Sequence, residues 1–144
     1  MEFKQDTIGD IIESEKQMIL HGAECYGDYF INASEFNNLL NGFIKSIDDP
    51  EKFIFVAFLF QIRKHHTLAL FSAARRHHIQ TSMNLRYVIE AGQWAAYAMG
   101  NKEQQKFCSK DNNGIISVED KHARAMYKWL DDNFKIKADE TKRL

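Results

Sequence analysis

A single proline governs how this chain can be divided. Of 144 residues only residue 50 is proline, in the stretch SIDDPEKFIF. Asp49 has the short acceptor side chain of a helix N-cap, and Pro50 suits the first helical position, where a missing N–H costs little. Glu51 suits the positive end of the helix dipole. A helix is therefore predicted to start at Pro50, and the segment before it to end near Asp48. No other proline interrupts the chain, so long helices are permitted on both sides.

Hydrophobic spacing supports helices throughout. In residues 6–47, Ile8, Ile11, Ile12, Ile19, Tyr26, Phe30, Phe36, Leu39, Leu40, Phe43 and Ile47 recur at helical intervals. Gly22 and Gly27 weaken that pattern, and Ser34 before Glu35 and Phe36 offers a second N-cap that would split the region in two. After Pro50, a stripe of Phe55, Leu59, Ile62, His66, Ala69 and Ala73 predicts a helix to about Arg76. A break at 75–78 is expected, because one helix of about 50 residues is too long for a compact domain. The next helix is predicted over about 78–99. It is apolar nearly all round, which makes it the expected central helix.

The polar segment SKDNNGII at 109–116 reads as a loop. Ser117 then reads as an N-cap with Asp120 three residues on, opening a helix over 118–134 with Val118, His122, Ala125, Met126 and Trp129 on one stripe. The charged end, residues 135–144, is expected to fray. No repeat and no strand alternation is visible. The expectation is an all-α single domain over 1–144, a bundle of four to five helices, with acidic N-terminal helices at about 6–47 and core helices at about 50–134.

Composition fits a folded chain: 44% of residues are hydrophobic and 27% charged. The net charge of −1 hides an asymmetry, with −7 in residues 1–50, +4 in 51–100 and +2 in 101–144. The acidic third can lie against the basic remainder, within one chain or across an oligomer. Cys25 and Cys108 form no CxxC pair, so free thiols in a reducing cytoplasm are expected. The acidic start MEFKQDTIGDIIESE does not read as a signal peptide. The longest apolar run, FIFVAFLFQI, is about half the length of a membrane span, so no membrane partner is expected.

Chemistry concentrates in a few places. Arg86 and Glu90 lie one turn apart inside an apolar stretch and can pair directly, and a buried pair must be satisfied or it is costly. With His65, His66 and Tyr87 they form a candidate polar core or ligand site. His66 and His122 each sit in an apolar stripe. His66, Glu90, Glu119 and His122 are the residues that could hold a metal, and Glu119 and His122 match the Glu-x-x-His spacing of di-iron bundles, in a single copy. The segment 109–120 also aligns with a twelve-residue calcium loop, though Ser109 and Asp120 stand at its key ends. An Asn-Gly turn is the simpler reading. No nucleophile motif or phosphate loop is present, and no cofactor is expected.

The stretch HHTLALFSAARRHHIQTSMNLRYVIEAGQWAAYAMG resembles bacterial helical-bundle families in which an Arg-x-x-x-Glu helix, here with Arg86 and Glu90, follows a long amphipathic helix. Tyr127-Lys128-Trp129-Leu130 belongs to the same pattern. More loosely, residues 50–132 resemble the HEPN group of bundles, found in toxin–antitoxin, phage-defence and RNA-processing systems. The resemblance implies a helical scaffold, often dimeric. Ribonuclease members of that group carry Arg followed by His after four to six intervening residues, and no arginine here has that spacing.

Three functional expectations follow. The first is an interaction or scaffold module that self-associates as a homo-oligomer or takes a protein partner, without catalysis. The second is a degenerate HEPN-like bundle acting on nucleic acid through the basic 63–86 segment with His65, His66, His77 and His78. The third is a metal- or small-ligand-binding bundle.

Overall fold

The computed structural model describes residues 7–111 and 113–134, so the tail at 135–144 lies outside the described residues. The architecture is all-α, with five α-helices and one very short hairpin. Helix α1 spans Ile8–Tyr26, α2 Asp28–Ser46, α3 Phe53–Ala74, α4 His78–Gly100 and α5 Asp120–Phe134. Strands β1 (Ser109–Lys110) and β2 (Ile116–Ser117) pair antiparallel. Two residues per strand are too few to leave an alternating pattern in the sequence.

Helix α1 begins on a capping box. The Asp10 N–H donates to Thr7 Oγ1 at 3.2 Å, and the Thr7 N–H donates back to Asp10 Oδ2 at 2.9 Å. It ends at Gly27, whose φ of 41° lies in the left-handed region. The Gly27 N–H donates to the Ala23 carbonyl, and its own carbonyl accepts from Phe30 and Ile31. One residue thus closes α1 and opens α2. The expected division at Ser34 does not occur, since Ser34 lies within α2.

Pro50 behaves as the sequence predicts. Asp49 Oδ1 accepts from the Glu51 N–H at 3.0 Å, and a single 3-10 turn at Pro50–Lys52 leads into α3. The break between α3 and α4 falls at 75–77. There the His77 N–H donates to the Ser72 carbonyl and the Arg76 N–H to the Ala73 carbonyl, which is a Schellman closure. Arg76 takes the left-handed position, with φ 60°.

The core joins α2, α3, α4, α5 and Phe107. It contains Leu40 and Ile44, Phe55, Leu59 and Ile62, Ala91, Ala95, Tyr97 and Ala98, and Met126 and Leu130. Of the five apolar members of the expected α3 stripe, Phe55, Leu59, Ile62 and Ala69 are buried and Ala73 is half-buried.

Helix α4 departs from expectation. It is not a central buried helix. Its buried side is the alanine ridge 91, 95 and 98 with Tyr97, and no residue before Ala91 is buried. Ile79 is 80% exposed and Met83 54%. Small side chains let α3 and α4 lie close together, while the larger apolar residues of the first half of α4 face outward. A periodicity that weights large side chains cannot distinguish such a face from a core.

Helix α5 starts at Asp120, because Ser117 is taken up by β2 and does not cap it. Val118 is correspondingly exposed. The hairpin contains the expected Asn-Gly turn, with Gly114 at φ 82°. Asp111 Oδ1 accepts from the Asn113 and Ile115 N–H groups at 2.9 and 2.7 Å. Ser109 pairs with Ser117 across the strands. Of the positions in the calcium-loop alignment, Ser109 and Ser117 thus lie in the strand pairing, and Asp111 Oδ1 is taken up by the turn.

Candidate functional site

The Arg86–Glu90 pair sits on the surface. Arg86 Nε donates to Glu90 Oε1 at 2.8 Å, with the two side chains 74% and 40% exposed. The expectation of a buried pair is corrected by the same fact that exposes Ile79 and Met83: α3 packs on the opposite, alanine side of α4. The Glu90 carboxylate, through its hydrogen bond and its charge, holds the Arg86 guanidinium above its ordinary pKa. Met83, Arg86, Tyr87 and Glu90 line an open hollow of about 360 Å³. Their positions are i, i+3, i+4 and i+7, the four that surround a hole on a helix surface.

His65 belongs to this neighbourhood. Its Nδ1 lies 3.0 Å from Asn84 Oδ1, and its ring centroid is 4.8 Å from that of Tyr87. An amide oxygen only accepts, so Nδ1 carries the proton and donates. His66 serves a different contact. Its Nδ1 donates to Asn37 Oδ1 on α2 at 3.0 Å, and its ring meets Phe36 edge-on at 4.9 Å. Burial lowers the His66 pKa. The two adjacent histidines thus tie α3 to α4 and to α2.

His122 and Glu119 form a third place. His122 is buried, and its Nδ1 accepts from the Glu119 backbone N–H at 3.0 Å. The same Nδ1 lies 3.2 Å from the Glu119 carbonyl oxygen, and Nε2 lies 3.4 Å from Ser109 Oγ. The Ser109 hydroxyl in turn hydrogen-bonds the Glu119 carboxylate, the largest cause holding Glu119 below its usual pKa, ahead of Lys121. The arrangement ties the start of α5 to the hairpin.

Of the residues singled out from sequence, the structure brings together Arg86, Tyr87, Glu90 and His65, and separately Glu119 and His122. Among the described residues, no three His, Cys, Asp or Glu side chains are grouped to hold a metal ion. His66, Glu90, Glu119 and His122 therefore do not form one centre. Sequence reading passed over Cys25 and His21, whose Sγ and Nε2 are 3.3 Å apart beside a hollow of about 230 Å³. Their i, i+4 spacing was the available signal. The thiol stands in the last turn of α1 and is exposed.

An ion pair joins the acidic N-terminal segment to the basic remainder within the chain: Glu15 meets Arg75 at 3.0 Å, with His77 Nε2 3.7 Å from the same carboxylate. Within the remainder, Glu51 meets Lys102. No described helix is long and apolar enough to cross a membrane. No family model, curated protein or solved structure matches the chain.

Proposed function

We propose that this chain is a helical interaction module that associates with itself and works as a scaffold, without catalysis. The observation that carries this reading is the row Ile79, Met83 and Tyr87 on α4, exposed along one face of the helix, with Leu85 and Ile89 exposed on a second. Scattered exposed apolar residues are ordinary, whereas a contiguous set on one element marks an interaction surface.

The nucleic-acid reading has less support. Of the arginines in the 63–86 segment, Arg75 and Arg86 are already engaged by carboxylates. Light scattering on the eluting protein tests the proposal. A mass at a multiple of 16.8 kDa is expected. A monomer at high micromolar concentration overturns it.

A further inference from the structure

The self-association reading leaves open which surface is used, and the charge pattern of α4 bears on that. Arg86 and Glu90 are opposite charges one turn apart, set among the exposed apolar residues Ile79, Met83 and Tyr87. An isolated exposed pair of this spacing contributes little to a monomer. Its position inside an apolar surface suits a different use.

We propose that two copies of this chain meet through the outer side of α4, antiparallel and about a two-fold axis passing between Arg86 and Glu90, so that Arg86 of each copy faces Glu90 of the other. A two-fold interface must be complementary to itself. Reversing the helix direction about residue 88 exchanges positions 86 and 90, so each cation meets an anion. A parallel pairing sets Arg86 against Arg86 and Glu90 against Glu90, which is repulsive.

Three features fit this arrangement. The hollow bounded by Met83, Arg86, Tyr87 and Glu90 has the spacing that receives a side chain from a facing helix. Among the described residues Arg86 donates a hydrogen bond through Nε alone, so the two Nη groups of its planar fork are open to a second carboxylate. Likewise, only Oε1 of Glu90 is engaged. Closing two such pairs across an axis, with water excluded by the apolar residues around them, strengthens them beyond their surface value. Beyond Gln93 the same side of α4 is already covered, Tyr97 being buried against Phe107 and Trp129, so the contact is confined to the turns around the charged centre.

Charge reversal tests the assignment. Arg86→Glu alone and Glu90→Arg alone each bring like charges together, and each is expected to weaken the dimer by about tenfold or more. An equimolar mixture of the two single variants should restore association as a heterodimer, as should the double reversal in one chain. Both side chains are exposed, so the fold does not depend on them, and recovery in the mixture demonstrates folded components. A wild-type dimer whose single reversals associate normally overturns the α4 face and leaves self-association standing. Single variants that dissociate and fail to recover on mixing overturn the antiparallel pairing. A monomeric wild type removes this inference together with the reading it rests on.

Discussion

Gly22 of α1 runs so close to Ala74 of α3 that a Cβ on Gly22 would lie 2.9 Å from the Cα, Cβ and carbonyl oxygen of Ala74. Two of those three atoms are backbone, so the neighbour cannot rotate away. Gly22 is also the one buried residue of α1. The glycine that weakens the helical pattern in the sequence is the contact that holds this helix to the bundle.

Gly22→Ala is therefore expected to destabilise the fold. Overpacking costs about 1–3 kcal/mol, and the better helix propensity of alanine returns about 1 kcal/mol. Gly92 is the control. An added Cβ there meets nothing within 4 Å, so Gly92→Ala should gain about 0.5–1 kcal/mol. Chemical denaturation of both variants checks the contrast, and a stabilised Gly22→Ala would contradict the close crossing.

Arg76 occupies the left-handed position that closes α3, where a side chain carries a steric cost and glycine does not. Arg76→Gly should raise stability by about 0.5–1 kcal/mol, although glycine is normally the more costly residue in a folded chain. The midpoint of urea unfolding reports it. A lowered midpoint would mean that the Arg76 side chain supports the fold beyond its backbone.

Burial lowers the His66 pKa, so the folded state favours the neutral ring. The sign follows from proton binding. Below the unfolded value of about 6.5 the unfolded chain binds more protons than the folded one. The contribution of His66 is thus complete above that value and is lost as pH falls through it toward the folded value. Unfolding midpoints measured from pH 7.5 down to 5 should decline less steeply in His66→Asn, whose amide can still donate to Asn37. Parallel slopes in the two proteins would remove the role assigned to this imidazole.

Much of the fold was legible in local chemistry. Asp49 and Pro50 mark a helix start because a capping acceptor and a fixed φ are properties of the residues themselves. The break near residue 76 followed from length alone. Gly22 and Gly27 look alike in the sequence, yet one packs within a helix and the other separates two. Only the distance to Ala74 and the sign of φ tell them apart.

The candidate site was legible in composition and misread in depth. Arg86, Tyr87, Glu90 and His65 do gather, but on the outside, since a helix apolar all round does not reveal which side a neighbour covers. The spacing of Glu119 and His122 matched a metal motif because three residues is also the separation of an N-cap and its return partner. The imidazole takes the second role.

The Glu15–Arg75–His77 contact and the Gly22–Ala74 crossing both fasten α1 at the corner where α3 turns into α4. That corner is built by residues adjacent in the chain, so it can assemble early and without help from the N-terminus. Helix α1 has no resting place until it exists. The first helix of the sequence is therefore expected to dock late in folding and to detach early in local unfolding.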